Sequence, residues 1–217
     1  MIQLKEAKKI YKNGRTEYPA LNGIDLTIEN GEYVAIIGTS GSGKSTLLNI
    51  IGGMDQTTDG QYLYDEKNVS KMNSHALHLF RKEYVSFVFQ RFALLNQYSV
   101  YENVEVPLLA KGIEKNERKK KVLSALMQVG IQDLYKKKPS ELSGGEQQRC
   151  AIARALVMDT PVVLADEPTG SLDKNSGIKV MKLLEELHEQ GKTLIIVTHD
   201  IDLSLIHISE PTRLGMI

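Results

Sequence analysis

The chain has 217 residues, 41% of them hydrophobic, and its 27 Lys plus Arg balance 27 Asp plus Glu for a formal net charge of +0. That length allows one well-buried core with subdivisions, and the balanced charge leaves no electrostatic footprint for broad nucleic-acid binding. No apolar run approaches the ~18 residues of a membrane span, no signal peptide opens the chain, and the single cysteine, Cys150, excludes an internal disulfide and reads as a packed core thiol in a reducing compartment.

In chain order, Ile2 to Tyr11 and Ile24 to Ile28 read as strands on either side of the turn-like Lys12-Asn13-Gly14-Arg15 and a linking segment. Tyr33 to Ile37 is an apolar run of buried-strand type, and Lys44 to Ile51 follows as a helix. A further strand pair surrounds Gln61 to Tyr64, so the strands flanking the first loop form a small antiparallel sheet. Val85 to Gln90 is another buried strand. From Val100 to Met158 the pattern turns helical, charged and periodic over Glu114 to Val129, then apolar and small over Glu146 to Met158. Pro161 to Ala165 returns to a buried strand, Lys174 to Gln190 to an amphipathic helix and Thr193 to Val197 to a last strand. Strands alternating with helices predict a parallel α/β core, with the helical middle, roughly residues 91–160, inserted into it. The basic runs Lys119 to Lys121 and Lys136 to Lys138 fall in charged stretches and read as solvated faces.

Three constellations carry chemistry. Gly38-Thr39-Ser40-Gly41-Ser42-Gly43-Lys44-Ser45, followed by Thr46, fits the G-x-x-x-x-G-K-[ST] phosphate loop at the strand-to-helix turn that motif requires. Its glycines let the backbone wrap phosphates, Lys44 brings positive charge to the β- and γ-phosphates, and Ser45 is placed to ligate Mg²⁺. Leu142-Ser143-Gly144-Gly145-Glu146-Gln147-Gln148-Arg149 opens an Ala-rich helix, so Ser143, Gly144 and Gly145 sit at a second anion-attracting helix start, about a hundred residues from the first. A grip that distant cannot share one nucleotide on a single subunit and implies a partner subunit. The apolar strand Val162 to Ala165 ends in Asp166 and Glu167, a costly pair unless a cation compensates it; Asp166 would bind Mg²⁺ through water, and Glu167 would orient the attacking water. Gln90 could reach Mg²⁺ or the lytic water, His199 the γ-phosphate, and Tyr11 the adenine ring. Alone, each is an ordinary residue; their order in the chain gives them weight. His75, His78 and His188 fit no metal-ligand spacing.

With these motifs in sequence order, the chain resembles the ATP-binding subunit of ATP-binding-cassette (ABC) transporters over residues 2 to about 202. Tyr11 matches the aromatic loop, Gly38 to Ser45 Walker A, Gln90 the glutamine loop, Leu142 to Arg149 the signature, Asp166 with Glu167 Walker B, Ser171-Leu172-Asp173 the D-loop and His199 the switch histidine. Phe89 to Leu95 and Glu102 to Leu108 resemble the branch that exports macrolides, releases lipoproteins or effluxes antimicrobial peptides. The resemblance implies a P-loop NTPase with a RecA-like parallel core, a small antiparallel β subdomain and an inserted α-helical subdomain. It implies ATP hydrolysis by Lys44, Glu167 and His199, with Mg²⁺ at Ser45, Gln90 and Asp166. ATP would be sandwiched head to tail between Walker A of one subunit and Ser143 to Glu146 of a second copy or a paired ATPase subunit. Transmembrane permease subunits would be the other partners, met near Gln90 to Val106, which places the chain in the cytoplasm against the inner face of the membrane without insertion. The same ATPase could instead regulate a membrane signalling or cell-division partner without transport. A DNA-repair ATPase would carry long heptad coiled coils, which this sequence lacks.

After Asp202 the sequence departs from the family. Leu203-Ser-Leu-Ile-His207-Ile-Ser-Glu-Pro-Thr-Arg213 resembles a transposon-type sequencing adapter translated in frame, followed by its index, so residues 203–217 are read as non-native and left out of fold reasoning.

Overall fold

The computed structural model describes residues 1–14, 16–199 and the backbone of 213–216. The expectations resting on Asp202 and His207 lie outside the described residues. Three apolar runs that lie side by side build its centre: β3 (Tyr33–Ile37), β7 (Val162–Asp166) and β8 (Thr193–Thr198); β1 (Ile2–Asn13) and β2 (Thr16–Ile28) precede them in the chain. With β6 (Val85–Phe89) and β9 (Arg213–Met216) they make a parallel sheet in the order β6-β7-β8-β3-β9. Parallel strands covered on both faces need apolar residues at successive positions rather than alternating ones. The two faces separate cleanly by residue parity. Val162, Leu164, Ile195 and Val197 pack with α1 (Lys44–Ile51), whereas Val163, Ala165, Leu194 and Ile196 pack with α5 (Gly144–Leu156) and α6 (Lys174–Glu189).

The second sheet is antiparallel, in the order β2-β1-β4-β5, with β4 (Asp59–Tyr64) and β5 (Lys67–Asn68). β1 and β2 are joined by a tight turn at Gly14, whose φ of 60° suits glycine. β2 begins at Thr16, well before the predicted Ile24, because cross-strand pairing to β1 extends the strand through polar residues that carry no periodic signal of their own.

Between β6 and β7, α3 (Val100–Ala110), α4 (Lys115–Gln128) and α5 form the crossover that joins two adjacent parallel strands. The sequence reading passed over α2 (Ser74–Tyr84), whose Asn73 side chain accepts from Ala76 N at 2.9 Å and whose Leu77 and Phe80 are buried. Asn73 followed by apolar residues at i+4 and i+7 was the available signal.

Candidate nucleotide site

Register alone assembles the site. Ile37 pairs with Thr198, Phe89 with Asp166, and Asp166 with Val197, so the carboxyl ends of β3, β6, β7 and β8 form one rim. The next residue after each strand is therefore Gly38, Gln90, Glu167 or His199, at the edge where open α/β sheets bind ligands. A cleft of about 650 Å³ opens there, lined by Tyr11, Tyr18, Ser40, Gly41, Gly43, Lys44, Ser45, Thr46, Gln90, Asp166, Glu167 and His199 among others.

The loop between β3 and α1 is bent by Gly41 (φ 82°) and Gly43 (φ 94°), and a Cβ on Gly43 would run into the Ala20 carbonyl. Lys44 is buried, and its Nζ donates to the carbonyls of Gly38 and Thr39, each at 2.7 Å, which ties the ammonium into the loop it closes. Ser42 Oγ is buried with no hydrogen-bond partner among the described residues, an unspent hydroxyl within a phosphate-type loop. Ser45 Oγ donates to Asp166 Oδ1 at 3.2 Å. Burial pushes the Asp166 carboxyl above the usual range, against the Ser45 hydrogen bond; the charge of Glu167 pushes the same way as burial and Lys44 opposes it.

Glu167 holds a left-handed φ of 47°. Its N–H donates to Val197 O at 2.8 Å, and its carboxylate lies 2.9 Å from His199 Nδ1 and accepts from Thr198 Oγ1 at 3.5 Å. A non-glycine residue in this region costs on the order of 1 kcal/mol or more, which the surrounding ladder must sustain. Gln90 lies in the turn just after β6 rather than within the strand, and its amide stands against Gly170, where a Cβ would come within 2.8 Å of Nε2.

Tyr11 and Tyr18 are register partners on β1 and β2 and both line the cleft. Tyr11 Oη donates to Asp55 Oδ2 at 2.9 Å, while Lys9 Nζ meets Asp55 Oδ1 at 2.5 Å and stands 5.0 Å from the Tyr11 ring centre. Tyr18 Oη donates to Gly41 O at 3.3 Å, so it touches the phosphate loop itself. Sequence reading named Tyr11 and missed Tyr18, which becomes visible only once the β1/β2 pairing places it across from Tyr11.

Ser143, Gly144, Gly145 and Glu146 are absent from the lining of this cleft. They begin α5, where Ser143 Oγ caps the Glu146 N–H and the Glu146 carboxylate accepts from Ser143 N at 2.7 Å. Two residues that sequence reading did not single out brace the surroundings. Arg154 donates to the carbonyls of Ala93 and Phe92, both at positive φ. Asn103, fully buried, donates to Leu95, Tyr98 and Ser99 carbonyls and accepts from Leu95 N. Cys150 is buried in the core, where desolvation pushes its thiol up to about 12.

A family model described as ABC transporter matches residues 21–170, more than half of the chain. The chain belongs to the ABC transporter family. This ABC cassette is 48% identical over 200 residues to the macrolide export ATP-binding/permease protein MacB of Hyphomonas neptunium, covering 92% of this chain and 31% of that protein. It is 47% identical over 204 residues to the ABC transporter ATP-binding protein YvrO of Bacillus subtilis, covering 94% of this chain and 89% of YvrO. Its structure resembles a dimeric post-hydrolysis state of the cassette MJ0796 bound to ADP and Pi, with a TM-score of 0.87, 43% identity and coverage of 94% of this chain and 90% of that one. The cassette is thus an ATP-binding, ATP-hydrolysing domain, and it spans about a third of the length of the MacB relative. Among the described residues, no helix is long and apolar enough to cross a membrane.

Proposed function

We propose that this cassette works as a head-to-tail ATP dimer that drives a membrane-embedded permease for export or extraction of a peptide, lipoprotein or drug-like substrate. One observation carries the reading: the cleft that contains Lys44, Asp166 and Glu167 contains none of Ser143 to Glu146, so the second phosphate grip must act on another copy's nucleotide. The dimeric MJ0796 cassette supports the assembly, and the permease in the name of the MacB relatives supports the coupling.

In this reading Tyr11 carries the adenine, held at its hydroxyl by Asp55, and the loop from Gly38 to Thr46 wraps the phosphates. Lys44 exchanges its carbonyl partners for phosphate oxygens. The donor set fits Mg²⁺, which takes one or two carboxylates plus substrate oxygens: Ser45 and Asp166 already meet, Gln90 borders the same cleft, and the raised Asp166 carboxyl is a partly buried charge that a cation would relieve. Bound there, the ion would neutralise charge building on the phosphates. Glu167 accepts a hydrogen bond from the attacking water and orients it, and His199 fixes the carboxylate at 2.9 Å while facing the γ-phosphate side of the cleft.

A groove of about 390 Å³, lined by Phe87, Phe89 and Pro107 together with His78, Arg81 and Lys82, includes Ala93 just beyond Gln90 in the chain, and we place the permease contact there. Such a contact puts the cassette at the inner face of the membrane without insertion. Residues 203–217 are proposed to be foreign sequence. The pairing of Arg213–Met216 with β3 is compatible with that, because an edge strand is held by backbone groups that almost any sequence supplies. A genomic reading frame that encodes this tail would refute it.

The test of the mechanism is Glu167→Gln. The variant should bind ATP at wild-type strength and accumulate as an ATP-bound dimer, with turnover reduced by about 10²-fold or more, the scale of losing a water-orienting group. Unimpaired steady-state phosphate release would end the assignment.

A further inference from the structure

Gln148 is a fully buried polar side chain in the middle of α5, the helix whose first turn carries Ser143 to Glu146. Its neighbours in the helix, Cys150, Ala151 and Ile152, are core residues, so an amide there is costly unless both its ends are paired. They are not. Nε2 donates to Pro168 O at 2.7 Å, and Oε1 has no hydrogen-bond partner among the described residues. A buried amide kept with one end unsatisfied calls for an explanation other than stability.

The partner it does have supplies one. Pro168 directly follows Glu167, and its ring fixes φ, so one of the two torsions between the Glu167 peptide and the Pro168 carbonyl is locked and the two are closely coupled. The same side of α5 runs along the whole segment after Glu167. One turn before Gln148, a Cβ on Gly144 would stand 3.6 Å from Leu172 and 3.9 Å from Ser171 O, and one on Gly145 would stand 2.8 Å from Ser176 Oγ. The absence of a side chain at Gly145 lets α5 come down onto this segment, with Gly144 in ordinary contact beside it, and Gln148 is a polar tie between the two.

We propose that Gln148 is a positioning residue that links the helix start gripping the partner's nucleotide to the Glu167 acting on this chain's own. The proposal rests on the head-to-tail reading above. When α5 is seated on the partner's phosphate, the tie sets where the Glu167 carboxylate stands; without it the dimer forms but the water is poorly aimed.

The test is Gln148→Met in the full chain, which keeps side-chain length and volume while removing both the donor and the unsatisfied oxygen. Expected are a melting temperature near wild type, because relief of the unsatisfied oxygen offsets the donor lost to the Pro168 carbonyl, an unchanged KM for ATP, unchanged ATP-driven dimerisation and a kcat lowered about tenfold, the scale of one hydrogen bond. A purely structural amide would change the melting temperature and leave kcat per folded chain at wild type, and a wild-type kcat, whatever the melting temperature, overturns the proposal. If the methionine variant does not fold, Gln148→Leu is measured in the same way. Glu167→Gln in parallel separates the two readings: full turnover there refutes the role of Glu167 itself, whereas a dead Glu167→Gln beside a fully active Gln148→Met refutes the tie alone.

Discussion

Asp166 shows what a nucleotide site demands of one residue. The sequence places it at the end of an apolar strand, and the structure buries it in part, with the Ser45 hydroxyl donating to it. Burial raises its folded pKa, so the carboxyl contributes stability only below its unfolded value and loses it as pH rises through the folded one. At neutral pH the ionised group is therefore a cost that a bound cation would offset. Asp166→Asn should raise the melting temperature without nucleotide at pH 7, by about 2–4 °C for each kcal/mol relieved in a chain of this size. It should also abolish the extra thermal shift that Mg²⁺ adds to ATP. A lower melting temperature in the metal-free variant would show that the carboxylate is already well paired. Glu167 was legible for the same reason as Asp166, an acid ending a core strand. Its φ of 47° was not, because that conformation is imposed by the ladder to Val197 rather than by the residue.

At the scale of elements, legibility follows burial on both faces. β3, β7 and β8 read directly from sequence because continuous apolar runs admit few other solutions, and α1 because the phosphate-loop motif fixes its first residue. The first half of β2 was illegible, being polar and held by cross-strand pairing to β1, whereas α2 carried a weak signal that was passed over, an Asn73 cap with two buried side chains. The start of α5 was legible as a helix N-terminus, and the capping box that closes it has the Ser-x-x-Glu spacing that sequence can show. There, hydrogen bonds from Ser143 N and Oγ hold the Glu146 carboxyl below the usual range. The box therefore stabilises the fold at neutral pH, and its contribution fades as pH falls through the lowered folded value. Ser143→Ala should lower the melting temperature near pH 7, with about 1 kcal/mol expected for a lost N-cap. The gap from wild type should narrow in acid. Monomer affinity for ATP should stay unchanged, since Ser143 is outside the cleft that binds it; a weakened monomer would put Ser143 in its own chain's site.

At the scale of the molecule, the proposed dimer makes catalysis a property of a pair. In the proposed head-to-tail assembly each chain would supply Lys44, Asp166 and Glu167 to one cleft and Ser143 to Glu146, which do not line that cleft, to its partner's, so two chains would be needed for either site and a symmetric pair would complete both at once. Mass action then fixes the kinetics. Below the dimer dissociation constant the dimer population grows as the square of chain concentration, so ATPase rate per chain should rise linearly with concentration and level off once dimers dominate. A self-contained site would give a rate per chain independent of concentration. The measurement is phosphate release at saturating ATP over about a hundredfold range of chain concentration, with dimer content followed by light scattering. Ser143→Arg, which places bulk and charge at the start of α5 and leaves the Lys44 cleft intact, should bind ATP normally yet show no rise at any concentration. A flat wild-type profile with full activity at the lowest concentration would place the whole site in one chain and remove the need for the second grip.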